Sequence, residues 1–449
     1  MNATAKISPA FEPFLSESGR GDKRDAIVLY RPRQVDTGTP RRRLRALKRR
    51  LDLVQKLATA QRPVQAKVAR EYRKALGADK GEFAVSSVGA NTLPIATVEV
   101  TRQTLSALAE QHDVVAVMPD QQVRLIAPKA VDYEDLAAAE AKSGLTWGLK
   151  RLGIPELWNK TKGRGVRVGV LDTGVHGDHP ALAGRVSEFV VIDPLGRRIT
   201  ASDPFDAGRH GTHVCGTIAG GKTPGGVAIG VAPETTLCVA AILLGDATLR
   251  TVVEGISWAV ETGCDILNFS LGFTYYEPLF AEVFDLLIDG YDVLPVVAIG
   301  NENHGNSSSP GNVRSAFSVG AVEKQRGSQV SVAFFSGGAS LVFPQAGAEQ
   351  SLVTKPDVVA PGVQVYSCIP PQRTPTGVYE YSYMDGTSMA APHVSGVAAL
   401  LMAARPEAEI ADIINVLKDT ARHPDGEEAR PDNRWGYGLI DPVSALNAL

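Results

Sequence analysis

The chain has 449 residues, 44% of them apolar and 21% charged, and a net charge of only −3, which suits a globular protein and gives no reason to invoke nucleic acid. The length exceeds one compact core of usual size, so two or three domains are expected. The charge is uneven: residues 1–140 carry 23 Lys+Arg against 17 Asp+Glu, and residues 141–449 carry 23 against 32, so the two parts attract each other, as a regulatory and a working part would.

In chain order, residues 1–24 read as a flexible tail. They hold no apolar core of signal-peptide length, and no run in the chain approaches 18 apolar residues, so a cytoplasmic protein without a membrane span is expected. "DAIVLYRP" (25–32) reads as a strand. A long basic helix follows, with Leu44, Leu47, Leu51, Val54 and Leu57 at helical spacing and Pro63 breaking or kinking it. Its first part, "RRRLRALKRR" (41–50), carries seven basic residues in ten without interleaved aromatics, which favours a solvated face or a partner-docking surface over nucleic acid or membrane. Residues 81–101 read as two strands around a turn, "RQTLSALAEQHDV" as a helix and "VVAVMPDQQVRL" as a last strand. The order β-α-β-β-α-β defines a small α+β domain of ferredoxin-like type over 25–128. Residues 129–145, rich in Ala and acid, read as a linker.

From about Trp147 the texture changes. "GVRVGVLDTG", "TLCVAAIL", "CDILNFSLG" and "DVLPVVAIGN" are continuous apolar strands alternating with helical runs. Such strands belong to a parallel sheet covered on both faces, so residues 146–449 are expected to form an α/β domain with a doubly wound, mostly parallel sheet. In these sheets ligands sit beyond the carboxyl ends of the strands. The four cysteines, Cys215, Cys238, Cys264 and Cys368, lie far apart and form no CxxC, which argues against a zinc ribbon and a disulfide framework.

Acyl transfer needs a serine, a histidine to take its proton, a carboxylate to orient that histidine and a donor for the oxyanion. The chain offers Asp172 in "VLDTGV", His210 in "GRHGTHVCGT", Asn301 in "AIGNE" and Ser388 in "DGTSMAAPHVSG". Taken singly, Asp172 and Asn301 read as turn residues and Ser388 as a helix cap. Joined in this order, each at a strand end or a helix start, they read as one site. The small residues behind Ser388 let its helix pack tightly beneath that site. The pairs His176/His179 and His210/His213 have HxxH spacing, but no HExxH is present and His179 precedes a proline, so zinc is disfavoured and His213 reads as packed. His393 reads as structural.

The motifs "VLDTGV", "HGTHVCGT", "GVAPE", "NFSLG", "AIGNE", "KPDVVAPG" and "DGTSMAAPHVSG" occur in the order Asp, His, Ser, and over residues 146–442 the chain resembles the subtilisin-like serine peptidases. That resemblance implies that Asp172 orients His210, that His210 is the general base and then acid, and that Ser388 attacks the scissile carbonyl. It implies an oxyanion held by the Asn301 amide and the Ser388 backbone N–H, and a substrate strand paired with Ser270, Leu271 and Gly272. It further implies polypeptide substrates, an N-terminal domain acting as intramolecular chaperone and inhibitor, and maturation by cleavage within about 125–146, with "QQVRLIAP" leaving its tail in the groove. Several stretches depart from the family pattern. "GGKTPGGVAIG" replaces the Asn-rich calcium loop, so no cofactor and no metal are expected, with calcium at another site the alternative reading. Phe273 stands where Gly is usual and narrows a pocket wall, Leu249 and Ser308 are placed near pockets, and residues 334–357 are expected to form an added hairpin near the site. Cys215, just behind His210, reads either as a source of sensitivity to thiol reagents or as a small buried residue. The competing reading is a catalytically silent binding module on the same fold.

Overall fold

The computed structural model describes residues 6–19, 21–33, 47–75, 85–87, 92–125, 129–131, 134–200, 202–274, 276–277, 280–343, 351–375 and 377–449. The expected flexible tail is corrected from Lys6 onward. Ile7 bridges to Val117, and a short helix, α1 (Glu12–Glu17), follows a turn in which Phe11 is fully buried. Phe11 and Phe14 supply the apolar anchor that the polar composition of this stretch conceals.

The N-terminal domain then runs β1 (Arg24–Tyr30), α2 (Leu47–Ala75), β2 (Val85–Ser87), β3 (Ile95–Val100), α3 (Arg102–Glu110) and β4 (Val114–Pro119). Its antiparallel sheet has the order β2-β3-β1-β4. The alternation in β1 serves two cores at once. Ala26, Val28 and Tyr30 face the domain's own core with Val68, Tyr72, Leu105 and Leu108, whereas Ile27 and Leu29 join Leu53, Val54 and Leu57 in a core shared with the larger domain. α2 continues through Pro63 without a break, because buried residues on both sides of the proline hold it in place. Residues 41–46 of the basic run lie outside the described residues. The expected last strand divides: after β4 the chain turns at Asp120 and a separate strand, β5 (Arg124–Leu125), forms. The linker is structured too, as β6 (Lys129–Val131) and α4 (Glu134–Ser143).

Two short helices, α5 (Trp147–Arg151) and α6 (Ile154–Trp158), lead into the α/β domain. Its elements are β7 (Arg167–Asp172), β8 (Val186–Ile192), β9 (Arg198–Ile199), α7 (His210–Ala219), β10 (Thr236–Ala241), α8 (Leu249–Glu261), β11 (Ile266–Phe269), β12 (Leu271–Gly272), α9 (Phe280–Asp285) with a π turn at Leu286–Gly290, β13 (Leu294–Ala298), β14 (Phe317–Lys324) and β15 (Val330–Val332). There follow β16 (Ala339–Phe343), β17 (Ser351–Lys355), β18 (Val358–Pro361), β19 (Val365–Thr374), β20 (Gly377–Asp385), α10 (Thr387–Ala404), α11 (Ile410–Asp419) and α12 (Pro442–Ala448). The main sheet has the order β15-β14-β13-β11-β7-β10-β8-β9, with β18 also on β14. All pairs are parallel except β14–β15 and β8–β9 at the edges.

One face of this sheet packs α7 and α10, and the other packs α8, α9 and the apolar face of the N-terminal domain. α10 is long and apolar enough to cross a membrane, but 89% of it is buried in this core. Lys355, of the "KPD" motif, is buried with Asp357, its ammonium donating to the Asp357 carboxylate and the Ala316 carbonyl at 2.7 Å each. β16 and β17 form the expected hairpin, and the chain leading into it lies against the loop after Asn301, where Gly305 N–H donates to Gly338 O at 2.9 Å.

Candidate active site

β7 and β11 are neighbours, with Phe269 opposite Leu171, so Asp172 and Ser270 sit side by side at the carboxyl end of the sheet. From these two adjacent strands the chain departs in opposite directions, β7 connecting to β8 on one side and β11 to β13 on the other, which makes this the switch point where a crevice opens. Asp172 is fully buried there. His210 opens α7 and places its Nδ1 2.7 and 2.9 Å from the two Asp172 carboxylate oxygens. A carboxylate only accepts, so Nδ1 is the donor in that pair. Nε2 is buried and has no hydrogen-bond partner among the described residues. The close approach of the two loops requires glycine: a Cβ on Gly211 would stand 2.0 Å from Gly174 O, and a Cβ on Gly174, at φ 116°, 2.1 Å from Phe205 O.

Ser388 occupies the first turn of α10, fully buried, where backbone N–H groups have no intrahelical acceptor. Its hydroxyl donates to Ser270 O at 3.2 Å, and the Ser270 hydroxyl donates back to Ser388 O at 3.1 Å. The expected hydrogen bond between this hydroxyl and the imidazole is not formed among the described residues, since His210 Nε2 has no partner there. Asn301 follows β13. Its Oδ1 accepts from Thr387 N at 3.0 Å and Thr387 Oγ1 at 2.9 Å. A backbone N–H only donates, so the oxygen end of the amide is fixed on Thr387 and the NH2 end is turned away from it.

Three groups of supporting residues escaped the sequence reading. Asp206 accepts from Thr173 Oγ1 at 2.7 Å and Gly208 N at 2.9 Å with one oxygen, and from Thr212 N at 2.8 Å and Thr212 Oγ1 at 2.6 Å with the other. It ties the loop after Asp172 to the helix of His210. Asn268 and Ser395 join β11 to α10 through Ser395 Oγ to Asn268 Oδ1 at 2.9 Å and Asn268 Nδ2 to Ser270 Oγ at 3.0 Å. Thr387 is the third. Asn268, Ser395 and Thr387 lie inside the quoted motifs without a role being read from them, whereas the only advance signal for Asp206 is its nearness in sequence to His210.

The other candidates fall into place around this centre. His213 is buried, its Nε2 facing Val365 O at 3.0 Å and Ser382 O at 3.1 Å, and burial, with His210 nearby, pushes it down to about 3. His393 donates to Met389 O at 2.8 Å and burial pushes it down to about 4. Both are neutral packing groups. His179 accepts from Ala181 N and donates to Glu380 O, so its ring is fully engaged. Among the described residues no three His, Cys, Asp or Glu side chains gather as a metal-binding group. Cys215 is fully buried and burial pushes its thiol up, which makes it unreactive rather than exposed to reagents. Leu249 is buried, and Ser308 donates to the Glu302 carboxylate at 2.8 Å, bracing the loop after Asn301. The Phe273 backbone pairs with Ser309 and its ring packs on Phe280, forming a rigid wall beside the groove.

The groove holds the chain's own backbone. β5 pairs antiparallel with β12, Leu125 opposite Leu271 and Arg124 opposite Gly272. Just upstream, Gln121 O accepts from Leu249 N and Val123 N donates to Ala247 O, both at 2.9 Å. On the far side of Ser388, β6 pairs with β20, Lys129 opposite Asp385. Residues 126–128 lie outside the described residues.

A doubly wound sheet that brings a buried carboxylate–imidazole pair and a helix-mounted serine to its switch point, in the chain order Asp, His, Ser, places the protein among the serine peptidases. A model of the subtilase family matches residues 163–438, and the chain belongs to that family. It is 32% identical over 284 residues to the intracellular serine protease of Paenibacillus polymyxa, covering 60% of this chain and 77% of the relative. It is 30% identical over 361 residues to the M-protease of Shouchella clausii, covering 79% and 80%. The crystal structure of fervidolysin from Fervidobacterium pennivorans, a keratinolytic enzyme related to subtilisin, superposes with a TM-score of 0.69 at 25% identity, covering 96% of this chain and 62% of that one.

Proposed function

We propose that the protein is an endopeptidase made as a proenzyme, cutting extended polypeptides through an acyl-enzyme on Ser388. The observation that carries this reading is the His210 ring, held through Nδ1 by both Asp172 oxygens, with its Nε2 buried and unpaired among the described residues. Nε2 takes the Ser388 proton as the hydroxyl leaves Ser270 O for the scissile carbonyl, and Asp172 stabilises the imidazolium that results. The oxyanion forms against the Ser388 N–H and the Asn301 NH2 group. His210 then returns the proton to the leaving amine, and water repeats the sequence on the acyl-enzyme.

The pairing of β5 with Leu271–Gly272 supports inhibition by the N-terminal domain, since it occupies the edge an extended substrate would use. With β6 on the opposite side of Ser388, the bond cut in maturation falls between Leu125 and Lys129. The relationship to an intracellular serine protease supports action inside the cell. A serine-directed fluorophosphonate should label wild-type chain at Ser388 and fail on Ser388→Ala, and mass spectrometry of the mature N-terminus should locate the cut. Absence of label in wild type would favour a silent binding module instead.

The reaction so written uses no metal. The turn in place of a calcium loop closes on itself, with Thr223 N donating to Val227 O at 2.8 Å and Gly226 N to Thr223 O at 2.9 Å. Chelator should therefore leave peptide hydrolysis and the melting temperature unchanged, and a loss of either on chelation would show a bound cation.

A further inference from the structure

Arg50, on the N-terminal domain, is only 2% exposed, and everything it bonds belongs to the other domain. Its Nη1 donates to Cys264 O at 3.0 Å, Asp292 O at 2.9 Å and Tyr291 O at 3.4 Å, and its Nη2 donates to the Asp265 carboxylate at 2.6 Å, with the Asp292 carboxylate 4.0 Å away. The acceptors have a common origin. Cys264 follows the end of α8, and Tyr291 and Asp292 follow the π turn at Leu286–Gly290, so both carbonyl ends, with their partial negative charge, converge on one point. Asp292 adopts φ 54°, a left-handed conformation, while presenting its carbonyl to Arg50. Asp265 is held from behind by Arg167 N at 2.8 Å. Leu47 packs over Gly263, lying where a side chain on that residue would have to go.

The same helix is gripped at its other end. Asp120 of the N-terminal domain accepts from Arg250 N at 3.0 Å in the first turn of α8. The domain therefore brackets α8 with an anion at its N-terminus and a cation at its C-terminus, about 20 Å apart at 1.5 Å per residue. The strand in the groove lies at the first of these ends and contributes two residue pairs, whereas Arg50 lies at the second. Cutting the chain near Ser388 frees the strand and leaves Arg50 untouched.

We infer that the carbonyl ends of α8 and of the Leu286–Gly290 turn, together with Asp265, form a guanidinium-binding site for Arg50, and that this site sets how long the N-terminal domain stays on the enzyme after the chain is cut. The inference rests on the proenzyme reading. The guanidinium fork reaches several acceptors in one plane, which a lysine ammonium cannot do. A buried, hydrogen-bonded charge pair at an interface controls dissociation more than association.

The test uses the full chain. Wild type, Arg50→Met, Arg50→Lys and the groove variant Leu125→Asp are followed for self-cutting on gels, for co-elution of the two fragments and for the onset of peptide hydrolysis. Arg50→Met should cut at the wild-type rate but lose the N-terminal fragment, and gain activity, at least about tenfold sooner. Arg50→Lys should fall between, and Leu125→Asp should shift release less than Arg50→Met. Release from Arg50→Met as slow as from wild type would overturn the inference alone. Failure of both Arg50 variants to yield soluble chain would overturn it by assigning Arg50 to folding. A wild-type chain fully active from the outset would refute the proenzyme reading and this inference with it.

Discussion

Asp206 shows how much of the site is built by side chains that never meet a substrate. One carboxylate joins Thr173, next to Asp172, to Thr212, two residues beyond His210, and so fixes Asp172 and His210 relative to each other. An amide in its place keeps one acceptor oxygen but turns an NH2 group toward backbone N–H groups that need acceptors. Asp206→Asn should lower kcat about 10- to 100-fold, as expected for a small misplacement of reacting groups, with KM near the wild-type value. Steady-state kinetics on a short peptide check this, and a raised KM at unchanged kcat would place Asp206 in binding instead. Removing the Asn301 amide should cost roughly 10²–10³ in kcat, a magnitude established on a member of this family rather than derived from this geometry. Asp172, His210, Asn301 and Ser388 were legible because each lies in a motif at a strand end or helix start. Asp206 was not, because its partners come from two separate elements and only folding brings them to one carboxylate. The Ser388–Ser270 bond was equally illegible, since a hydroxyl's choice between acceptors leaves no trace in spacing.

At the scale of elements, the linker helix α4 is fastened by a single buried acid. Glu140 Oε1 accepts from Trp147 N at 2.8 Å, and Oε2 accepts from the Tyr383 hydroxyl at 2.8 Å. Tyr383 lies on β20, opposite Val131 of β6 and five residues before Ser388, so this contact reaches the wall of the groove. Burial pushes Glu140 up from 4.5 to about 7, against the two hydrogen bonds and the charge of Lys324, which pull it down. The docked helix therefore holds this proton more tightly than a released one. Docking is fully stabilised below the released value of 4.5, weakens as pH rises toward about 7, and stays weaker above it, by on the order of 3 kcal/mol in all. Amide exchange in α4, corrected for its intrinsic pH dependence, should show more opening at about pH 8 than at about pH 5, and Glu140→Gln should flatten that difference. Equal protection at both pH values in wild type would contradict the assignment. The sequence showed this linker as an Ala- and acid-rich stretch but not which acid is buried, because Tyr383 is 243 positions away. The division of β4 from β5 was hidden in the same way. Its cause is Asp120, which leaves the sheet to cap α8 in another domain.

For the whole molecule, the excess of base before residue 140 and of acid after it becomes a docked pair of domains sharing one apolar core. The chain threads its own groove as part of that arrangement, on the Leu271–Gly272 edge before Ser388 and on the Tyr383–Asp385 edge after it. On the proposed proenzyme reading, a strand tethered on both sides competes with substrate at an effective concentration in the millimolar range, without needing high intrinsic affinity. Blocking of the uncut chain should therefore depend on the tether and on the fit of a few side chains. In a Ser388→Ala background, where the chain stays whole, a labelled extended peptide should bind poorly. Leu125→Asp should strengthen its binding by about tenfold, because a carboxylate entering the Leu271 edge loses water without gaining a partner. Fluorescence polarisation measures both constants. Equal, tight peptide binding by the parent and by Leu125→Asp would mean that β5 yields to substrate without cost, and that the latency of the proenzyme resides elsewhere in the contact between the domains.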